Sequence, residues 1–190
     1  MANPQAEKSL KIILIGDGGA GKTSLVNRFV HKTFSSIYKT TIGVDISPFN
    51  TLTTQSKKSI RFVLWDMSGQ THFKRFRSRF YSGTSGAIIV FDLTNASSYR
   101  NVQSWVKECR DNFHKSVPMI ILGNKADLTE LLVIHPRSDF PNIPIFRTSA
   151  KNGENVENAF FSLFEAVVRE SLEKEDLSIE ESTHIPYKKT

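Results

Sequence analysis

Short runs of consecutive apolar residues recur along the chain and alternate with amphipathic stretches. The runs cover residues 12–15, 60–65, 87–91, 119–122 and 143–146, and their uninterrupted apolarity predicts strands that are buried on both faces. The stretches between them carry apolar residues at helical spacing and predict helices over 23–31, 97–113 and 156–169. This alternation predicts an α/β domain with a mainly parallel sheet and helices on both faces.

Residues 45–65 break the alternation, because two extended runs meet around residues 54–58 without room for a helix. A hairpin here adds one antiparallel strand at the edge of the sheet. Pro48 has no amide donor, so we expect it in an edge strand or in a bulge. From Glu170 onward the apolar density falls and acidic residues accumulate. We therefore expect a flexible N-terminus at 1–8, one domain over 9–172 and a flexible acidic tail over 173–190.

The bulk composition is typical of one soluble globular domain. A length of 190 residues allows one sizeable buried core. The single cysteine, Cys109, excludes an internal disulfide framework, and the N-terminus carries no signal-like apolar stretch. No apolar run approaches the roughly 20 residues of a membrane span. We expect a cytoplasmic protein.

The net charge of +6 is unevenly distributed. Residues 170–190 contain six acids and three bases, which leaves about +9 on residues 1–169. A basic body fits nucleic acid, an anionic membrane surface or an anionic small ligand, and it equally fits an ordinary solvated surface. The charge alone does not indicate a nucleic-acid function, and we expect none.

Each apolar run is followed at once by a polar segment with chemically active side chains. In an open parallel sheet, ligands bind outside the carboxyl ends of the strands, so these segments should converge on one site. The segments are residues 16–23, 66–70, 92–94, 124–127 and 148–151.

The first segment has the pattern G-x-x-x-x-G-K-[ST] between a strand and a helix. Its glycines let successive backbone amides turn toward an anion, and the helix N-terminus adds partial positive charge. We expect Lys22 to reach the outer phosphates of a nucleoside triphosphate and the Thr23 hydroxyl to bind magnesium. The alternative is a glycine-rich turn with an incidental lysine. The predicted phosphate-binding residues are Gly16, Asp17, Gly18, Gly19, Ala20, Gly21, Lys22, Thr23 and Ser24.

The second segment supplies candidates for metal binding and hydrolysis. Asp66 ends a predicted strand and is the kind of carboxylate that holds magnesium, usually through water, although a solvated strand-end acid is the alternative. Gly69 is suited to place its amide against a terminal phosphate, and Gln70 to orient an attacking water. A neutral amide suffices because phosphoryl transfer needs positioning more than deprotonation.

The sequence Asn124-Lys125-Ala126-Asp127 is suited to select a base. A carboxylate in the plane of guanine accepts hydrogen bonds from the N1–H and the exocyclic amine, whereas adenine offers no such donor pair on that edge. Because mispairing in a desolvated site is costly, Asp127 would discriminate strongly. We therefore expect a guanine nucleotide.

With these motifs in this order, residues 9–170 resemble the Ras superfamily of small GTPases, and within it the Rab branch most of all. The Rab-like stretches are 40–45, Trp65-Asp66-x-x-Gly69-Gln70, 80–83 and 92–94. The resemblance implies the three-layer P-loop NTPase fold of small G proteins, with six strands. It also implies a GTP/GDP switch that binds GTP with Mg²⁺, hydrolyses it to GDP and phosphate, and acts in intracellular membrane traffic or signalling.

The resemblance also assigns residues that the motifs alone do not. Thr41 would complete magnesium coordination in the GTP state, Phe34 would contact the edge of guanine, and Tyr38 would close over the phosphates. The Ala150 amide would read the guanine oxygen. The second base-binding loop would be Ser149, Ala150 and Lys151, and the catalytic residues would be Lys22, Thr41, Gly69 and Gln70.

A switch of this kind implies partner proteins. Thr41 and Gly69 would both hold the terminal phosphate region, so hydrolysis would release two loops at once. We expect effectors, exchange factors and GTPase-activating proteins to bind residues 34–45 and 67–81 of a monomer. Residues 72–81 interleave four bases with four aromatic side chains. A partner surface is the leading interpretation, with a solvated basic face or a nucleic-acid or lipid surface as alternatives.

The chain also departs from the Rab pattern. Gly18 leaves room for a catalytic arginine supplied in trans, and the segment between Asp127 and Ser149 is short and proline-rich, so the helix usually found there should be short or absent. The C-terminus has no cysteine and residue 2 is Ala, so neither prenylation nor N-myristoylation is expected. The pattern allows peripheral membrane association without a lipid anchor on this chain, and it leaves open whether the C-terminus is truncated or naturally unlipidated.

Two other functions fit parts of the pattern. A scaffold that holds GTP without cycling would not need Thr23, Thr41, Asp66 and Gln70 together. A P-loop kinase would need an acceptor-binding lid, and none is evident in the sequence.

Overall fold

Six strands form one sheet with helices packed on it. The computed structural model describes residues 8–37, 39–52, 59–70, 73–113, 116–128 and 140–183. The strands are β1 (Lys8–Gly16), β2 (Val44–Leu52), β3 (Ser59–Met67), β4 (Thr84–Asp92), β5 (Met119–Asn124) and β6 (Ile145–Arg147). The helices are α1 (Lys22–His31), α2 (Lys74–Arg77), α3 (Ala96–Asn112) and α4 (Val156–Thr183), with 3₁₀ turns at Ser78–Phe80 and Ala126–Leu128.

The strand order is β2-β3-β1-β4-β5-β6. β2 runs antiparallel to β3, and the other neighbouring pairs are parallel. Pro48 lies opposite Val63 in β2, at the edge of the sheet. The prediction of a mainly parallel six-stranded sheet with one antiparallel edge strand is confirmed. Residues 54–58, where the hairpin was expected to turn, lie outside the described residues.

The central strands are buried on both faces. In β1, Ile12 and Leu14 belong to a core that includes side chains of α1 and α4, whereas Ile13 and Ile15 belong to a second core with side chains of α3. Successive side chains of a strand point to opposite faces of the sheet. A strand with an apolar core on each face therefore needs apolar residues at every position. Burial of each such side chain contributes about 1.5–3 kcal/mol. The resulting layers hold the carboxyl ends of β1, β3, β4 and β5 along one edge.

Phenylalanines fix α1 against α4 and the sheet. The rings of Phe29 and Phe160 stack with 4.3 Å between centroids, and those of Phe62 and Phe164 stack at 3.8 Å. Each of these rings is large and apolar, so the pairs bury much apolar area between the helices and the sheet. This packing holds α1, whose first turn follows the glycine-rich segment, in a fixed orientation.

The bounds of several elements differ from the sequence-based expectation, most of all at the C-terminus. α4 continues to Thr183, through much of the segment expected to be a tail, and β6 begins at Ile145 rather than Ile143. Residues 129–139, where a short or absent helix was expected, lie outside the described residues. Among the helices that the structure describes, none combines the length and apolarity needed to cross a membrane.

Candidate nucleotide-binding site

Four of the five polar segments line one cavity at the carboxyl edge of the sheet, and residues 92–94 do not reach its wall. Its volume is about 560 Å³, within the range of small-molecule sites. A larger cavity of about 950 Å³ lies at the opposite ends of β5 and β6 and contains none of the motif residues. The predicted site residues that line the first cavity are Gly18, Gly19, Gly21, Lys22, Thr23, Ser24, Phe34, Thr41, Gly69, Gln70, Asn124, Lys125, Asp127, Ala150 and Lys151.

The glycine-rich segment wraps around the ammonium group of Lys22. The Nζ donates hydrogen bonds to the carbonyl oxygens of Gly16 and Asp17, at 2.8 Å each. Burial lowers the pKa of Lys22 to about 8, although Asp66 and Asp17 act in the opposite direction. Gly21 has a φ of +92° at the start of α1, where only glycine turns without strain. The segment and the N-terminus of α1 therefore form a positively charged cradle.

Asp66 and two threonines meet beside this cradle. The Thr23 hydroxyl donates to Asp66 Oδ2 and lies 2.8 Å from the Thr41 hydroxyl. Asp66 is 2% exposed, and its Oδ1 has no hydrogen-bond partner within the described part of the chain. Burial raises the pKa of Asp66, while Thr23 and Lys22 oppose the shift. A buried carboxylate oxygen without a partner is costly, and this set of oxygen donors fits Mg²⁺.

Gly69 lies directly against the glycine-rich segment. A Cβ atom at this position would lie 2.3 Å from Gly16 O and 2.6 Å from both Asp17 C and Gly18 N. The backbone after β3 therefore lies so close to the cradle that there is no room for a side chain at residue 69. Gln70 follows on the cavity wall.

The opposite end of the cavity carries Asp127. Its Oδ1 accepts a hydrogen bond from Ser149 Oγ at 2.6 Å, and its Oδ2 lies 3.7 Å from the Nζ of Lys151. Lys125 pairs with Asp92 at 2.6 Å and has a positive φ of 69°. Ser149 is fully buried. A carboxylate and a lysine stem are thus fixed at the rim of the cavity.

Asn124 joins the two ends of the site. Its Nδ2 donates to Ala20 O at 3.0 Å, and its Oδ1 accepts from the Ala150 amide at 3.1 Å. Asn124 is 1% exposed, so its side chain braces the two loops. The Ala150 amide, which the resemblance assigns to the guanine oxygen, is therefore engaged by Asn124 in this structure.

Comparison with known proteins identifies the family. The sequence model of the Ras family matches residues 11–169. This chain belongs to the Ras family. The Ras-related protein Rab-13 from Canis lupus familiaris is 36% identical over 166 residues, which cover 85% of this chain and 81% of that protein. The Ras-related protein RABD2c from Arabidopsis thaliana is 37% identical over 171 residues, which cover 87% of this chain and 83% of that protein.

Membership of the Ras family decides the general function. Ras-family proteins are GTP hydrolases that switch between GTP-bound and GDP-bound states, generally with Mg²⁺. This chain is accordingly a Rab-like small GTPase, as its motifs predict. The non-cycling scaffold is not favoured.

Three groups of contacts in this small GTPase were not foreseen from its sequence. Arg28 on α1 donates to the carbonyl oxygens of Ala150, at 2.7 Å, and of Lys151. Trp105 Nε1 donates to Asp17 Oδ1 at 2.7 Å, and Asn101 Nδ2 to Asp17 Oδ2 at 2.8 Å. The third is the ion pair of Lys125 with Asp92. Arg28, Asn101 and Trp105 lie outside the polar segments, and no local motif marks their contacts with the site.

Five of the predicted site residues that the structure describes do not line the cavity wall. Asp66 is hydrogen-bonded to Thr23, which lines the wall, and Ser149 is hydrogen-bonded to Asp127, which also lines it. Tyr38 lies outside the described residues. The backbones of Gly16, Asp17 and Ala20 surround Lys22 and Asn124, and the carboxylate of Asp17 is directed to α3.

In the basic aromatic cluster, the described residues 73–81 are divided between the surface and the core. Lys74, Arg75 and Phe76 are exposed, whereas Arg77 and Tyr81 are each 2% exposed. The interpretation of all four bases as one partner surface was therefore wrong for Arg77. Spacing alone does not show which cation has a buried acidic partner.

Proposed function

We propose that this Rab-like GTPase binds GTP with Mg²⁺ in the 560 Å³ cavity and hydrolyses it there. The observation that carries the proposal is a buried oxygen of Asp66 that has no hydrogen-bond partner among the described residues and lies beside the hydroxyls of Thr23 and Thr41. These three residues would hold the metal, which neutralises charge on the phosphates when bound. The phosphates would lie in the cradle of residues 16–24, against Lys22.

Hydrolysis is assigned to residues on the phosphate side of the cavity. Gln70 orients the attacking water, and the Gly69 amide contacts the terminal phosphate. Lys22 balances the negative charge on the outer phosphates. No residue needs to remove a proton beforehand, because phosphoryl transfer depends chiefly on position and electrostatic stabilisation.

The base is assigned to the opposite end. The carboxylate of Asp127 accepts from the two guanine donors, and the Ser149 hydroxyl fixes its orientation by donating to Oδ1. The stem of Lys125 and the ring of Phe34 cover the base. Asn124 acts by holding the two loops together, and Lys151 stays within 3.7 Å of Asp127.

Partner binding is assigned to the two loops that close on the phosphates. Apolar side chains project there: Ile37 is 72% exposed and Ile42 91% exposed in the first loop, and Phe76 is about half exposed in the second. Such side chains on residues 34–45 and 67–81 suit effectors, exchange factors and GTPase-activating proteins. We propose that the protein acts as a monomer in membrane traffic, in the cytoplasm or peripherally on intracellular membranes.

Single-turnover hydrolysis tests the proposal. We expect wild-type protein to convert bound GTP to GDP and phosphate, and Gln70→Leu to lower the rate by about tenfold or more, because leucine cannot orient water. Gln103→Leu, the same change at an exposed position on α3, should leave the rate unchanged.

Two outcomes would contradict the assignment. A wild-type rate no higher than that of Gln70→Leu, with or without candidate activating proteins, would support a non-cycling scaffold. ATP outcompeting GTP for the site would support the kinase alternative.

The metal assignment makes a separate prediction. Thr23→Val keeps the branched shape of the side chain but removes the hydroxyl beside Asp66. We expect the Mg²⁺ concentration needed for half-maximal retention of bound GDP to rise by about tenfold or more. Fluorescent GDP release across a Mg²⁺ titration measures this. Thr33→Val, at an exposed threonine after α1, is the matched control. Equal Mg²⁺ dependence of both variants would remove Thr23 from the metal site.

A further inference from the structure

Arg77 is a buried cation within the second of the two loops. It ends α2 and is 2% exposed, whereas Arg75 and Arg79 on either side are exposed. A charged group is found inside a protein only where other groups satisfy it. The contacts of Arg77 therefore show which parts of the protein it connects.

The guanidinium joins α3 to the loop that carries Gly69 and Gln70. Nε and Nη2 donate to the two carboxylate oxygens of Glu108, at 2.8 and 3.1 Å. Nη1 donates to Ser68 O at 3.0 Å, one residue before Gly69. The Tyr81 hydroxyl donates to the same Glu108 at 2.8 Å. A bidentate pair restricts the guanidinium to one orientation, so the Ser68 carbonyl is held at a defined place.

The same guanidinium stacks on a residue that holds the phosphate cradle. Its Cζ lies 4.4 Å from the centre of the Trp105 ring, whose Nε1 donates to Asp17 Oδ1. Asn101, four residues before Trp105, binds the other oxygen of Asp17. One face of α3 thus carries contacts to both loops, since residues three and four apart are neighbours on a helix.

We propose that Arg77 is a positioning residue for GTP hydrolysis. It fixes the position of the loop Ser68–Gln70. Through Trp105 and Asp17 it also fixes the position of that loop relative to the phosphate cradle. The proposal rests on the proposed function of Gln70 and Gly69, which Arg77 does not touch. It explains why this cation is inside the protein instead of on the partner surface.

The first test removes the buried pair without leaving an unpaired charge. The double variant Arg77→Met/Glu108→Gln keeps an acceptor for Tyr81, and we expect its single-turnover GTP hydrolysis to fall about tenfold with GDP still bound. The matched control is Lys107→Met/Asp111→Asn, which removes an exposed ion pair on the same helix and should hydrolyse GTP at the wild-type rate. A wild-type rate in the buried-pair variant overturns the proposal.

The second test addresses the link through Trp105. Trp105→Phe keeps an aromatic face for Arg77 but removes the donor to Asp17. It leaves the buried pair of Arg77 and Glu108 intact, so it also serves as the test if the double variant does not fold. We expect about a threefold loss of hydrolysis. Combined with Arg77→Met/Glu108→Gln, it should add no further loss, because both changes break one connection. Losses that multiply would overturn the proposal, since independent packing defects behave in that way.

Fluorescence gives a readout that a purely structural residue would not change. The chain has two tryptophans, so a Trp65→Phe background leaves Trp105 as the only indole. We expect exchange of GDP for a non-hydrolysable GTP analogue to change Trp105 emission, and Arg77→Met/Glu108→Gln to abolish that change. Emission that responds equally in both proteins would overturn the proposal. If wild-type protein hydrolyses GTP no faster than Gln70→Leu, the proposed function fails, whatever Arg77 does.

Discussion

Asp127→Asn is expected to lower the affinity for GDP by on the order of 10⁴-fold and to shift the preference toward xanthine nucleotides. The carboxylate accepts from the N1–H and the exocyclic amine of guanine, whereas an asparagine amide sets a donor against a donor. Xanthine has a carbonyl oxygen in place of that amine and restores the pairing. Competition between fluorescent GDP and unlabelled xanthosine diphosphate measures the change.

The geometry of Asp127 makes this prediction sharp. Ser149 Oγ holds one carboxylate oxygen at 2.6 Å, so the side chain has little freedom to adapt to a mispaired base. Glu154→Gln removes the same charge from an exposed position of the neighbouring loop and should leave the preference for guanine unchanged. An Asp127→Asn protein that still prefers GDP would show that another residue reads the base.

The strands of the sheet could be predicted from the sequence because each one is marked by its own run of apolar residues. Runs such as 12–15 and 119–122 are apolar at every position, which only a strand covered on both faces tolerates. The extent of α4 could not be predicted in this way. Its last part, up to Thr183, has few apolar residues and follows a pattern that equally suits a tail.

The site could be located from the sequence because its loops follow the strand ends in order. The contacts that hold those loops could not be predicted. Arg28 reaches Ala150 across 122 positions, and Trp105 reaches Asp17 across 88. Such pairs depend on how helices pack on the sheet, which periodicity does not specify.

Charge patterning failed at Arg77 for a related reason. In the sequence it is one of four bases among aromatic side chains, and its partner Glu108 lies 31 positions away on α3. Only the packing of α2 against α3 decides which of these bases is buried. Asn124 is a similar case, since its place in the base motif conceals its contact with Ala20.

Gly69→Ala is expected to lower GTP hydrolysis by about 100-fold. The added Cβ would lie 2.3 Å from Gly16 O and 2.6 Å from Asp17 C. These are backbone atoms of the phosphate cradle, so no side-chain rotation relieves the overlap, and the loop carrying Gln70 must move away. Gly69 is not among the glycines with positive φ, so alanine suits its backbone and the conflict is purely steric. Single-turnover hydrolysis of bound GTP measures the loss.

Gly86→Ala separates this effect from general destabilisation. It adds the same methyl group to β4, where the Cβ would lie 2.7 Å from Val167 Cγ2 and 3.0 Å from Ile12 Cδ1, far from the cavity. Overpacking of the core costs about 1–3 kcal/mol, so this variant should melt at a lower temperature while each folded molecule hydrolyses GTP at the wild-type rate. Gly69→Ala should show the opposite weighting, a loss of hydrolysis per folded molecule that is much larger than in Gly86→Ala, because its overlap displaces the loop that carries Gln70. Wild-type hydrolysis by Gly69→Ala would mean that the close approach to Gly16 is not required in the GTP-bound state.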